Sequence, residues 1–431
     1  MTRRRHLAGL GLLVGLAGLT PSVDAQTAPT VIVFSGEDNR LNVYDGATGQ
    51  KQTVIPSADD DPVAGLDLNA QICFDPDHPT RFIAGEDTNQ PNPPQHWGYF
   101  ELHGTALGSF TTTELGRLTP TYQGTLDNAE NYGCGFLSDG RLVTTDVGEQ
   151  QPGTTPTGQL IVWFPPFDSD TVRHCKVDVA IATASGIHVD DGDRVYVAAA
   201  RPGLPQTTDL AGVYRYDGSL PTSDDTAGGC GRTDSTGAPL ADADRIGKTL
   251  FIPGDPLGAF TPSAIVPSPG GGFYVSSVFT GIIAEYDAGG AFVRRVLEPA
   301  LGDVIPPYST GTPYGLGIDS AGTLYYADLG VVLGPPPGPG DHNGTLRRIR
   351  FVDGDPQPPE TIDTGLAFPD GIGILELAAA PAPVAGPLAA SAPPAGTAAT
   401  GLAANGPALA GAAALAGLVA LRAQARRTRP L

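Results

Sequence analysis

The chain has 431 residues, 40% of them apolar, and its 46 acidic and 25 basic residues give a net charge of −21. This length allows a large buried core, and the 58 glycines and 42 prolines are typical of short strands joined by turns. The acidic balance argues against nucleic acids and anionic membrane surfaces as partners, because both would repel the chain.

Residues 1–25 predict a signal peptide. Arg3, Arg4 and Arg5 form a basic segment, and residues 7–19 form a short apolar core. Small residues at Val23 and Ala25 fit a cleavage site before Gln26. The apolar core is too short to span a bilayer comfortably, so the sequence predicts export and a mature chain from residue 26.

A hairpin pattern recurs through residues 26–377, the predicted folded domain. In its clearest form, TPYGLGIDSAGTLYYADLG at residues 312–330, an apolar strand leads through a polar turn to a tyrosine-rich strand. Variants are AQICFDPDHPTRFIAGEDT from Ala70, NYGCGFLSDGRLVTTDVG from Asn131, SGIHVDDGDRVYVAAARPG from Ser185 and PSAIVPSPGGGFYVSSVFTG from Pro262. Such repetition predicts an all-β fold, a β-propeller.

Six blades are predicted, with seven as the alternative. Their cores are assigned to residues 30–55, 70–118, 131–182, 185–254, 262–297 and 313–362, with a polar insertion near 217–248. The remaining segment LAFPDGIGIL, at residues 366–375, predicts one more strand. We expect it to pair with the N-terminal strands and close the ring.

Four cysteines in an exported chain favour two disulfides, although four cysteines allow three pairings. Cys73 and Cys134 occupy equivalent places in the first strands of consecutive repeats. We therefore expect Cys73–Cys134 and, with the remaining two residues, Cys175–Cys230. No zinc-binding spacing of cysteine and histidine is present.

The repeat PYGLGIDSAGTLYYADLG resembles the NHL repeat, and residues 30–377 resemble the six-bladed family that includes NHL proteins and SMP-30/gluconolactonase/LRE-like lactonases. This fold hosts lactonases, esterases, lyases and binding scaffolds. In the lactonase branch the resemblance implies a divalent metal, usually Ca²⁺, at the top of the central channel. Its ligands would be Glu, Asn and Asp residues from different blades.

Acidic and amide residues recur where first strands begin and second strands end, which is one face of a propeller. Oxygen ligands of this kind suit hard cations, and the predicted metal ligands are Glu86, Asn131, Asp146, Asp328 and Asp370. The alternative is that they are ordinary turn residues. The glutamate that the resemblance implies early in the first blade has only Glu37 as a candidate.

His188 lies in the first strand of the fourth repeat. In a lactone hydrolase it would act as a general base on metal-bound water. The alternative is a structural histidine in a half-buried strand.

The C-terminal region has a different composition. Residues 378–400 predict a flexible stalk, residues 401–421 an apolar helix long enough to cross a bilayer, and residues 422–431 a basic cytoplasmic tail. The segment TAATG before the helix resembles the LPxTG sorting signal. We expect a monomeric protein at the cell surface or in the periplasm, held by this helix or by sortase-like processing.

Two functions follow from these observations. The first is a calcium-dependent hydrolase of the lactonase or esterase type, acting on a small ester or lactone at the channel mouth. The second is a non-catalytic NHL-type module that binds a protein or glycan of the envelope.

Overall fold

The computed structural model describes the repeat region of the chain with several gaps, and every structural statement below concerns the described residues. These are residues 30–57, 68, 70–85, 96–120, 131–148, 157–169, 172–200, 211–217, 220–222, 247–255, 258–278, 280–298, 311–332, 338–339 and 342–377. The predicted signal peptide, stalk, C-terminal helix and basic tail lie outside these ranges. No helix in the described ranges is long and apolar enough to cross a membrane.

The described chain forms six four-stranded antiparallel sheets, which are the six predicted blades. The strands of the first half are β1 (Thr30–Glu37), β2 (Arg40–Asp45), β3 (Lys51–Ile55), β4 (Cys73–Phe74), β5 (Arg81–Gly85), β6 (Trp97–His103), β7 (Thr111–Leu118), β8 (Asn131–Phe136), β9 (Leu142–Asp146), β10 (Gly158–Trp163) and β11 (His174–Ile181).

The strands of the second half continue in the same pattern. They are β12 (Ala184–Val189), β13 (Val195–Ala199), β14 (Gly212–Tyr216), β15 (Thr249–Pro253), β16 (Pro262–Pro267), β17 (Phe273–Ser277), β18 (Ile282–Tyr286), β19 (Phe292–Leu297), β20 (Pro313–Ile318), β21 (Leu324–Asp328), β22 (Val331–Val332), β23 (Gly338–Pro339), β24 (Gly344–Ile349), β25 (Phe351–Val352), β26 (Asp355–Pro356), β27 (Glu360–Leu366) and β28 (Gly371–Leu377).

Blade 1 closes the ring as predicted. Its strand order is β28-β1-β2-β3, so the last strand of the chain is the inner strand of the first blade. Thr30 pairs with Leu377 and Gly36 with Gly371 in an antiparallel register. The other blades run in chain order from the inner to the outer strand: β4-β5-β6-β7, β8-β9-β10-β11, β12-β13-β14-β15, β16-β17-β18-β19 and β20-β21-β24-β27.

The core lies between the blades. The second strands β9, β13, β17 and β21 are buried along their whole length, because each is covered by a neighbouring blade on both faces. The outer strand β19 keeps Phe292 and Val293 exposed. Large aromatic side chains such as Trp97 and Trp163 fill one of these interfaces, and burial of each stabilises the fold by ~1.5–3 kcal/mol or more.

The two ends of the propeller differ in their connections. At the tight-turn end of blades 2 to 6, each inner strand turns directly into the second strand; β8 ends at Phe136 and β9 begins at Leu142. At the opposite, long-connection end the chain runs from Leu118 in β7 to Asn131 in β8. One long connection, from Tyr216 in β14 to Thr249 in β15, nevertheless starts and ends at the tight-turn end. The pairing of Thr30 with Leu377 places the entry and exit of the propeller at the tight-turn end.

Candidate functional site

The four described residues of the predicted metal site lie at the long-connection end. Asn131 begins β8 and pairs with Asp146, the last residue of β9. Asp328 ends β21, and Asp370 directly precedes β28. Glu86 lies outside the described residues. Within the described part of the chain, no three His, Cys, Asp or Glu side chains form a group that could hold a metal ion; the predicted set, which includes Asn131 and Glu86, stays a prediction.

The Asp328 carboxylate closes the junction at the start of its own blade's inner strand. Its Oδ1 accepts hydrogen bonds from the Thr312 amide (2.9 Å), the Thr312 hydroxyl (3.1 Å) and the Gly330 amide (3.1 Å). The Leu329 amide donates to the Thr312 carbonyl at 3.1 Å. Asp328 therefore serves as a hydrogen-bond acceptor in a turn, a role for which aspartate is well suited.

Blade 5 builds the same junction without a carboxylate. Ser277 ends β17 as Asp328 ends β21, and its Oγ accepts a hydrogen bond from the Thr261 amide at 3.0 Å. The Val278 amide donates to the Thr261 carbonyl at 3.2 Å. Both junctions carry a Thr-Pro pair. In blade 5 a serine hydroxyl therefore takes the acceptor place that the Asp328 carboxylate takes in blade 6.

Asn131 and Asp146 face the interface between blades 2 and 3. Directly paired residues project to the same side of a sheet, and Leu142, on the Asp146 side of β9, packs in a core cluster with blade 2. A Cβ atom added to Gly85 of blade 2 would lie 3.1 Å from Asn131 Cβ. Asp146 Oδ1 also accepts a hydrogen bond from the Gly148 amide at 3.1 Å. Both side chains are buried in this interface.

Asp370 is fully buried beside the inner strand of blade 1. Its amide donates to the Gly36 carbonyl at 3.2 Å. Its carbonyl accepts a hydrogen bond from the Tyr132 hydroxyl of blade 3 at 3.1 Å. The main chain of Asp370 thus links two blades across the channel.

Glu37 lies between blades 1 and 6. Its Oε1 accepts hydrogen bonds from Tyr44 Oη (2.5 Å), Asn42 Nδ2 (2.8 Å) and Lys51 Nζ (3.1 Å). Lys51 also contacts Asp363 of blade 6 at 3.1 Å. Burial raises the pKa of Glu37, and Lys51 opposes that shift. The residue that the resemblance placed at the metal is therefore part of a buried network that joins the first and last blades.

His188 lies away from the rim. It follows Ala184, the first residue of β12, by four positions, which is ~13 Å along a strand, toward the tight-turn end. Its ring packs near Tyr196 and Phe273, with centroids 5.9 Å away in each case. Burial lowers its pKa to about 4, which keeps the ring neutral near pH 7. The ring thus packs between blades 4 and 5, as the structural alternative expects, and its role as a catalytic base stays a prediction.

The predicted disulfide between Cys73 and Cys134 is present and joins the inner strands of blades 2 and 3. Cys175 is also disulfide-bonded, and its expected partner, Cys230, lies outside the described residues.

Three residues that the repeat pattern did not single out meet inside the channel: Gln71, Tyr132 and Tyr314. The two tyrosine rings make a T-shaped contact with centroids 4.7 Å apart. Gln71 bonds through its side chain to the main chain of Ile187. The two tyrosines could have been identified from a shared Tyr-Gly-x-Gly motif, which is YGCG in blade 3 and YGLG in blade 6.

No family model matches the chain, and no curated protein matches it. The chain is similar to the periplasmic gluconolactonase of Pseudomonas aeruginosa, with 13% identity, a TM-score of 0.45 and coverage of 80% of this chain and 99% of that one. It is also similar to virginiamycin B lyase from Staphylococcus aureus, with 11% identity, a TM-score of 0.43 and coverage of 82% and 94%.

A third similar structure is described as a calcium-binding protein, regucalcin, from Agrobacterium tumefaciens; the identity is 13%, the TM-score 0.39 and the coverage 70% of this chain and 83% of that one. The six-bladed architecture itself rests on the strand order, and at these scores the matches carry no argument about activity.

Proposed function

We propose that the chain is an exported binding propeller, tethered through its C-terminal segment, that recognises an envelope protein or glycan through its long-connection end. The observation that carries this proposal is the asymmetry of the two ends. The chain enters and leaves the propeller at the tight-turn end, so a tether there leaves the long-connection end free to meet a partner. Most connections of about ten or more residues lie at that end, with the connection from Tyr216 to Thr249 as an exception, and in repeat folds the longer connections on one face commonly carry the binding groups.

The described rim residues support binding more than metal-dependent hydrolysis. Such a hydrolase needs several oxygen ligands that converge on one cation. Here Asp328 is an acceptor for main-chain and threonine groups, and Asn131 and Asp146 face a blade interface. No described group of three His, Cys, Asp or Glu side chains could hold the calcium that the resemblance implied, and we assign no catalytic step to these residues.

Export is supported by two features. Disulfides persist in oxidising compartments, and Cys73–Cys134 is formed. The basic, apolar and small-residue order of residues 1–25 is that of a secretory signal.

Blocking each end separately tests which end binds. The variants Thr119→Cys, beside the long connection after β7, and Ala321→Cys, in the turn between β20 and β21, place one thiol at each end on exposed residues. After coupling to a polyethylene glycol maleimide, binding to a glycan array and to isolated cell envelopes is measured. We expect the adduct at residue 119 to abolish binding and the adduct at residue 321 to leave it unchanged; the reverse pattern, or equal loss, contradicts the proposal.

A panel of lactones and aryl esters, with and without chelator, separates binding from hydrolysis. We expect no turnover in either condition. Chelator-sensitive turnover would favour the hydrolase and overturn the non-catalytic assignment.

A further inference from the structure

The inner strands of blades 3 and 6 are interrupted by matching bulges near the long-connection end. In β8, Asn131 pairs with Asp146 and the next paired residue is Cys134. In β20, Pro313 pairs with Asp328 and the next paired residue is Leu316. Tyr132 and Tyr314 are the first residues in these interruptions. Bulges redirect side chains, and blades 3 and 6 stand opposite each other in a six-membered ring.

The redirected rings meet across the channel. Their centroids are 4.7 Å apart with an interplanar angle of 68°, an edge-to-face geometry worth about 0.5–1.5 kcal/mol beyond area burial. Tyr132 is only 2% exposed. Its hydroxyl donates to the Asp370 carbonyl of blade 1 at 3.1 Å. Ser276 of blade 5 donates to the Tyr314 carbonyl at 2.7 Å. The aromatic pair is therefore held by four blades.

Gln71 adds a tie between blades 2, 3 and 4. Its amide donates to the Tyr132 carbonyl at 2.8 Å. Its side-chain Nε2 donates to the Ile187 carbonyl, and its Oε1 accepts from the Ile187 amide, both at 3.0 Å. The Ile187 amide is available because β12 carries the same kind of register interruption, between Ala184 and Ile187.

Glycines let the inner strands approach closely at this level. A Cβ atom on Gly133 would lie 2.4 Å from the Ser185 carbonyl, and one on Gly315 would lie 2.1 Å from the Asp370 carbonyl. Any larger residue would collide with main-chain atoms that cannot move aside. The inner strands of neighbouring blades are therefore close together at the level of the two tyrosines.

We propose that Gln71, Tyr132 and Tyr314 form a plug that replaces a bound ion as the link between blades and excludes ions and substrates from the channel. A ligand must then bind above the plug, on the outer surface of the long-connection end. The disulfide helps to set the plug, because Cys73 and Cys134 each follow a plug residue by two positions. This inference does not depend on which partner the propeller binds.

Hydrogen exchange of the Ile187 amide tests the plug in the intact protein. In the Gln71→Ala variant we expect this amide to exchange at least tenfold faster, because its side-chain acceptor is removed. The matched control is Gln50→Ala, whose side chain is exposed in the turn between β2 and β3, and it should leave the Ile187 rate unchanged. An unchanged rate in Gln71→Ala would overturn the proposal.

Two further variants provide alternative tests if Gln71→Ala fails to fold. Gln71→Glu retains the acceptor for the Ile187 amide but loses the donor to its carbonyl, so its exchange rate should be intermediate. A crystal structure of Tyr314→Ala should show ordered solvent reaching Tyr132 through the channel. A channel that stays closed by other side chains in that structure would contradict the plug.

Discussion

Two kinds of contact hold this propeller together, hydrogen bonds within one turn and hydrogen bonds between blades. At the tight-turn end an aspartate stabilises its own turn: Asp319 accepts a hydrogen bond from the Thr323 amide at 2.7 Å and from the Tyr325 hydroxyl at 3.2 Å. Asp190 repeats this with the Gly192 amide and the Tyr196 hydroxyl. All of these partners lie within six residues of the aspartate.

Other contacts join different blades. The Thr145 hydroxyl of blade 3 donates to the Ser185 carbonyl of blade 4 at 2.6 Å, and the Gln71 side chain reaches Ile187 of blade 4. The tight-turn end has such contacts too, because the Ser138 hydroxyl of blade 3 donates to Asp193 of blade 4 at 2.6 Å. We expect contacts between blades to be costlier to remove than contacts within a turn.

Removal of the disulfide between blades 2 and 3 should have the largest effect. The bond spans 61 residues, and the Cys73→Ser/Cys134→Ser double variant should lose about 4 kcal/mol of unfolding free energy through the chain entropy of the unfolded state. Denaturant titration measures this loss. A loss below about 1 kcal/mol would mean that the ring is held at this seam without the bond.

Removal of Lys51 at the seam between blades 1 and 6 should cost about 2–4 kcal/mol. Lys51→Met leaves the buried Glu37 carboxylate without its cation, and the cost is below that of a fully buried pair because the Lys51 ammonium is partly exposed. Burial already raises the pKa of Glu37, so acidification protonates it and should shrink the penalty. Denaturation at pH 7 and pH 5 checks both statements, and a penalty that grows on acidification would refute them.

Single turn acceptors should matter less, and the two ends can be compared directly. Asp319→Ala should lose about 1–2 kcal/mol, because the Thr323 amide and Tyr325 hydroxyl lose an acceptor. Asp328→Ser should lose less than about 1 kcal/mol, because Ser277 performs the same task in blade 5. Asp328→Ala is the control for loss of any acceptor. If serine is as damaging as alanine at position 328, the carboxylate has another role.

At neutral pH the last effect is absent, because it is a pH dependence of stability that comes from His188 and develops only on acidification. Its pKa falls to about 4 in the folded protein through burial, against about 6.5 for an exposed histidine. Its neutral form is therefore favoured by folding, and its contribution to stability is complete above about pH 6.5 and is lost as the pH falls toward 4. His188→Phe should flatten that part of the stability profile. A histidine resonance that titrates near pH 6.5 would contradict this assignment.

The architecture could be predicted from the sequence because its repeating unit is contiguous in the chain. Each inner strand, turn and second strand occupies about 20 contiguous residues, and the closing strand at residues 366–375 carries the same apolar pattern. The Cys73–Cys134 disulfide could also be predicted, because the two cysteines hold equivalent places in neighbouring repeats.

The site could not be predicted in the same way. Position in a repeat indicates the end of the propeller at which Asn131, Asp146 and Asp328 lie, but not the side of the sheet to which they project. That side depends on register, and the bulges in β8 and β20 change the register where the channel begins. The same bulges explain why Tyr132 and Tyr314, which look like ordinary strand residues, meet in the centre.

Calorimetric titration of Ca²⁺ into the chelator-treated full-length protein tests the central claim most directly. If the rim carboxylates are hydrogen-bond acceptors and side chains fill the channel, no saturable heat of binding will appear up to millimolar Ca²⁺. Stoichiometric Ca²⁺ binding with submicromolar affinity that is lost in Asp328→Ser would contradict this account. It would instead support a calcium site at the channel mouth.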